Sequence, residues 1–183
     1  MAKFNFKKFD KHFGMHFSDS IVIPLKEGGK SPIYKHKGLS VAEIRRYRDD
    51  NMPPTSHSTW GVLLGTDLVC IDFDDMLKHN EWVERFPDDF STAPCETTKK
   101  GYHYYFQNDA MYTNKIGIDE KVDLLAVEST GTRHVCVCAP SPNKKWVRNI
   151  VDTTTLPMSA ELKEYIAELR TPQDTDDTEE LAI

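Results

Sequence analysis

The chain has 183 residues, 39% of them hydrophobic and 28% charged, with a formal net charge of −6, so one domain with its own core is expected. No apolar run approaches ~18 residues, and the N-terminus lacks the ~7–15-residue apolar stretch of a signal peptide; both predict an intracellular protein with no membrane partner. The four cysteines (Cys70, Cys95, Cys136, Cys138) stand in strand-like text without the CxxC spacing of a zinc site, so buried thiols in a reducing compartment are expected.

Residues 1–18 mix Phe and Lys and read as an N-terminal docking arm. Asp19–Leu25 reads as a first strand, and the loop that follows contains Glu27-Gly28-Gly29-Lys30-Ser31-Pro32. Ser40–Asp50 reads as a helix because Ser40 and Glu43 form a Ser-x-x-Glu capping box. Its Arg45, Arg46 and Arg48 give it a basic side. Residues 1–50 hold eleven Lys/Arg against six Asp/Glu, and a basic surface attracts phosphates; a merely solvated face has the same composition. Trp60–Leu64 and Leu68–Phe73 are expected to form a hairpin around Gly65-Thr66-Asp67. Residues 75–86 read as a helix stopped by Pro87. Thr92–Thr98 and Tyr102–Gln107 read as strands joined by Lys99-Lys100-Gly101, and residues 108–119 as irregular. Lys121–Val127 and Arg133–Cys138 read as two more strands around a turn at Ser129–Thr132, with a short strand at Lys145–Ile150. Ser159–Arg170 is an amphipathic helix with Leu162, Ile166 and Leu169 on one face. Residues 171–183 carry five acids and no base, the composition of a disordered tail or linker. Many short strands with few helices predict an α+β fold with a mainly antiparallel or mixed sheet.

Three positions carry candidate chemistry. Side chains two apart on a strand share a face, so Asp72 and Asp74 point together while Ile71 and Phe73 point into packing. Adjacent carboxylates repel, and a divalent cation removes that cost; hard oxygen ligands suit Mg²⁺ or Mn²⁺. The structural alternative is that Asp74 or Asp75 caps the following helix. His103 shares a strand face with Tyr105, beside a basic turn of Lys99 and Lys100 that suits a triphosphate; a hydrogen-bonded histidine among aromatics is the competing account. Asp123 is a lone acid in an apolar strand and needs a partner, either a shared metal or an arginine.

The order of these blocks resembles the archaeo-eukaryotic primase superfamily, in its primase–polymerase (prim-pol) branch. That pattern is a hydrophobic strand ending in Asp-x-Asp, a small-x-His strand and a hydrophobic-Asp strand, here Ile71-Asp72-Phe73-Asp74, Gly101-Tyr102-His103 and Val122-Asp123. Pro24 with Gly29-Lys30-Ser31-Pro32, Trp60-Gly61-Val62-Leu63-Leu64-Gly65 and Ala139-Pro140-Ser141 resemble its flanking segments, so the likeness spans about residues 20–150. The chain departs from the pattern in having Gly101 where Ser is usual, and in lacking both an Arg with a Gly-rich turn after Asp123 and the cysteine cluster of an attached zinc module.

The resemblance implies an RRM-like catalytic sheet with packed helices plus a small N-terminal α/β subdomain, over residues 19–170. It implies a template-dependent nucleotidyltransferase of DNA replication, a primase and/or DNA polymerase. Asp72, Asp74 and Asp123 would hold two divalent ions, Mg²⁺ or Mn²⁺. His103, with Lys99 or Lys100, would bind the nucleoside triphosphate. Lys30, Arg45 and Arg46 would meet single-stranded template or primer phosphates, and a helicase domain or protein is an expected partner. A metal-dependent nuclease and a catalytically degenerate replisome module are the alternatives.

Overall fold

A computed structural model describes residues 4–171, so the acidic segment from 172 onward lies outside the described residues. The first half runs α1 (Phe6–His16), β1 (Ile21–Pro24), α2 (Val41–Asp50), β2 (Trp60–Leu64), β3 (Leu68–Phe73), α3 (Met76–Arg85) and α4 (Pro87–Thr92). The second half runs β4 (Cys95–Thr97), β5 (Tyr102–Gln107), β6 (Lys115–Asp119), β7 (Val122–Leu125), β8 (His134–Cys138), β9 (Lys145–Arg148) and α5 (Ala160–Arg170).

The fold is α+β, with five helices and two antiparallel sheets among the described residues. The larger sheet has the strand order β6-β7-β3-β5-β4-β9 and the smaller β1-β2-β8. Alternation along β3, β5 and β7 sorts the core. Ile71, Phe73, Tyr104, Phe106, Val122 and Leu124 pack under Trp82, Phe90, Leu162 and Ile166 of α3, α4 and α5. The opposite face, with Cys70, Tyr105 and Leu125, packs on Val62, Leu64, Cys136 and Cys138 of the small sheet. The outer face of the small sheet, with Ile21, Ile23 and Leu63, takes Ile44 of α2.

The segment read as an arm is a capped helix: the Asn5 side chain accepts from the Lys8 amide, and Phe9 and Phe13 are buried, as is Phe17 just beyond. Each such phenylalanine contributes about 1.5–3 kcal/mol of burial, so α1 is part of the core. The capping box of α2 forms as expected, with reciprocal Ser40 and Glu43 bonds. Arg48, however, is not on a basic face. It is fully buried, donates to Asp10, Asp49 and the Val22 carbonyl, and clamps α1, α2 and β1 together.

The hairpin expected between Trp60–Leu64 and Leu68–Phe73 does not form. β2 and β3 belong to different sheets, as do β7 and β8. Gly65–Asp67 is a crossover bound to the chain before β1: Asp67 accepts from the Asp19 amide and the Ser20 hydroxyl, and Asp19 accepts from the Thr66 amide. A Cβ at Gly65 would overlap the Asp19 carbonyl. Residues 108–119 are not wholly irregular, because β6 pairs with β7 across a bulge. Lys115, Ile116 and Gly117 are exposed there, so the strand lacks an apolar signature. Pro87 ends α3 by opening α4, where its missing N–H costs nothing.

Candidate active site

The pairing register places the candidate residues in one row. Asp72 on β3 is opposite His103 on β5 and Asp123 on β7, and His103 is opposite Glu96 on β4. Residues directly opposite in antiparallel strands share a face. Asp123, Asp72, His103 and Glu96 therefore line one level of the large sheet, on the side that carries Cys70 and Tyr105.

Asp74 follows the end of β3, and its amide donates to the Lys121 carbonyl at 2.9 Å. The cap of α3 is Asp75, which accepts from the Lys78 amide at 3.0 Å. That leaves the Asp74 carboxylate with no capping role. One oxygen each from Asp72, Asp74 and Asp123 lies within 4.8 Å of the others. Burial raises the Asp74 carboxyl above its ordinary value, and the Asp72 and Asp123 charges raise it further.

Asp72 Oδ1 is buried and has no hydrogen-bond partner. Its distance of 3.3 Å to His103 Nε2 brings the charges together without a hydrogen bond. An orphaned buried carboxylate oxygen inside a cluster of mutually repelling acids fits a divalent cation with oxygen ligands. Asp123 Oδ1 accepts from the Gly117 amide at 2.7 Å, which fixes its orientation. Gly117 has φ +67° in the bulge of β6, a conformation that suits glycine.

His103 is buried, with Nδ1 at 2.9 Å from Glu96 Oε1. Burial by itself disfavours the imidazolium. The neighbouring Cys136 sulfur and the Asp72 and Glu96 carboxylates outweigh it and hold the ring protonated well above the usual histidine range. Glu96 is fully buried and also accepts from the Tyr105 hydroxyl at 2.5 Å and the Ala139 amide at 2.7 Å. Glu96 is not among the site residues expected from the sequence. Its signal was present: an acid in the strand Cys95–Thr97, spaced across the Lys99–Gly101 turn so as to face His103.

Lys99 and Lys100 are exposed on that turn, and the Lys100 charge acts on Asp74. Gly101, at the end of that turn, is closely approached from one side. What approaches it is protein, since a Cβ there would overlap the Phe73 carbonyl. Lys30 and Arg46 are exposed and Arg45 half-buried. Lys30 lies in the loop after β1 and the arginines on α2, whose Ile44 packs on the outer face of the small sheet. The loop after β8 is tied to β2, with the Ser141 hydroxyl bonded to both the amide and the carbonyl of Trp60.

Among the described residues no helix is long and apolar enough to cross a membrane. No curated protein matches the chain. The family model described as "Bifunctional DNA primase/polymerase, N-terminal" matches residues 16–165, which takes in every strand of both sheets and all three acids with His103. The chain belongs to the Prim-Pol family.

Proposed function

We propose that this domain is a template-dependent nucleotidyltransferase of DNA replication, a primase and/or DNA polymerase that works with two divalent ions, Mg²⁺ or Mn²⁺. The observation that carries the reading is the clustering of Asp72, Asp74 and Asp123, with the unpartnered Asp72 Oδ1 among them. Those three side chains would hold the ions. Bound there, they would lower the pKa of an attacking 3′-hydroxyl and stabilise in-line displacement at the α-phosphate.

The residues around the acids have separate tasks. His103 lies at the edge of the cluster as a cation, and its Nε2 lacks an aligned bond to Asp72. It donates to a phosphate oxygen of the incoming nucleotide. Glu96 fixes the ring from behind through Nδ1. Lys99 and Lys100 add positive charge on the adjoining turn, where a triphosphate is neutralised. Lys30, Arg45 and Arg46 bind template or primer phosphates, which positions the strand without reading its sequence. A helicase domain or protein is the natural partner, since a primase needs an unwound template.

The test is a Mn²⁺ titration on a primed and an unprimed single-stranded template, with and without dNTPs or NTPs. Metal- and nucleotide-dependent product supports the reading. Strand loss that needs metal but no nucleotide identifies a nuclease. Template binding with neither reaction identifies a degenerate replisome module.

A further inference from the structure

Behind the proposed nucleotide histidine lies a second set of ligand atoms, which the carboxylate chemistry does not use. Cys70 on β3, His103 on β5 and Cys136 on β8 each bring one ligand atom within 4.8 Å of the others, and all three are buried. The Cys136 sulfur lies 3.9 Å from His103 Nδ1. The Tyr105 hydroxyl is 3.4 Å from the same sulfur. Glu96 Oε1 lies 2.9 Å from Nδ1, on the ring of the same histidine. These residues come from both sheets, so the set exists only where the two sheets face each other.

We propose that Cys70, Cys136 and His103 form a buried site for a thiolate-seeking cation of the Zn²⁺ class, separate from the carboxylate site. Two sulfurs and an imidazole suit a soft or borderline ion, whereas hard Mg²⁺ prefers the three carboxylates. Ligands about 2.0–2.3 Å from a tetrahedral ion stand roughly 3.3–3.8 Å from one another. Closing a set within 4.8 Å therefore needs inward shifts of about 1 Å at most. The buried Glu96 carboxylate, beside the His103 ring, offsets part of the cation's charge. The ion takes the two sulfurs as thiolates and the imidazole in its neutral form.

Loading ties the His103 ring to the metal and away from the nucleotide. This consequence rests on the proposed function above, and it makes the site inhibitory: Zn²⁺ blocks nucleotide incorporation even at saturating Mg²⁺.

The experiment uses the full chain, stripped of metal by a chelator and titrated with Cd²⁺ in excess Mg²⁺. One equivalent of Cd²⁺ should produce a thiolate-to-cadmium charge-transfer band in the ultraviolet. The band should persist in Asp72→Asn, and it should weaken in affinity by at least about tenfold in Cys70→Ser and Cys136→Ser, a loss typical even of outer-shell substitutions. No band in the wild-type chain, or an unchanged band in both cysteine variants, overturns the proposal. Should those variants fail to fold, the cadmium NMR shift of the wild-type chain decides: a two-sulfur environment supports the site, and one of oxygen and nitrogen alone overturns it. Zn²⁺ inhibition of incorporation should be relieved in Cys136→Ser. A wild-type chain that incorporates no nucleotide refutes the proposed function, while the charge-transfer band still decides the metal site.

Discussion

His103 Nδ1 and Glu96 Oε1 are 2.9 Å apart, and the carboxylate of that pair is fully buried. Glu96 also accepts from Tyr105 and from the Ala139 amide, so one side chain joins β4, β5 and the segment after β8. Glu96→Gln keeps the shape but loses one of the charges that, with Cys136 and Asp72, raise the His103 pKa. It should cost about 1–3 kcal/mol of stability and raise the nucleotide Kd by about tenfold, equivalent to ~1.4 kcal/mol. Calorimetry with a nucleotide and a melting curve measure the two effects, and wild-type nucleotide affinity in a folded Glu96→Gln protein would remove Glu96 from the site.

The three carboxylates repel one another in the absence of metal. Asp72→Ala and Asp74→Ala should each abolish extension, while Tm without metal stays level or rises. Addition of Mn²⁺ should raise the wild-type Tm and shift the variants much less. Full extension by Asp72→Ala would refute the metal assignment.

Gly101 lies against the Phe73 carbonyl, one residue from Asp72 along β3. Gly101→Ala should push β5 away from β3 and destabilise the protein by at least ~2 kcal/mol, as backbone strain in a packed site does. Urea unfolding measures it. An unchanged midpoint would mean that the strands tolerate the methyl group and that the glycine serves something else.

Asp19 gives a pH prediction. Burial opposes its charge, but the Thr66 amide and the Arg133 guanidinium, 2.7 Å away, outweigh that and hold the carboxyl below its ordinary value. Its folded pKa is thus lower than its unfolded one. The stability it contributes is complete above the ordinary carboxylate range and is lost as pH falls through the depressed value. The effect should be small, because the carboxylate is part-exposed and solvent screens the pair. Melting curves from neutral pH into acid should show a shallower loss for Asp19→Asn than for wild type.

The arginines of α2 divide by burial. Arg45→Ala with Arg46→Ala should leave Tm nearly unchanged and reduce the salt slope of single-stranded DNA binding by roughly one to two units, about one per lost phosphate contact. Arg48→Ala should instead cost about 1–3 kcal/mol, since it leaves the buried Val22 carbonyl without its donor, while the part-exposed Asp10 and Asp49 carboxylates turn to solvent. A salt series by fluorescence anisotropy separates the two classes, and an identical slope in the double variant would refute the proposed DNA surface.

Local chemistry was sufficient for much of this protein. The Ser40–Glu43 capping box, the alternation that sets Asp72 and Asp74 apart from Ile71 and Phe73, and the turn that pairs β4 with β5 all depend on residues close in the chain, so period and spacing reveal them. Long-range pairing was not legible. Strands β2 and β3 are apolar along nearly their whole length, and an all-buried strand carries no alternation to say which neighbour it takes. A tight turn between them therefore looked like a hairpin, although Asp19 and Ser20 bind that turn and send the two strands to different sheets. The charge on Arg48 likewise suggested surface until the fold supplied Asp10 from α1. Only the stacking of the two sheets could set Cys136 beside Cys70 and His103, because those residues come from strands separated along the chain whose meeting is decided by which apolar faces cover each other.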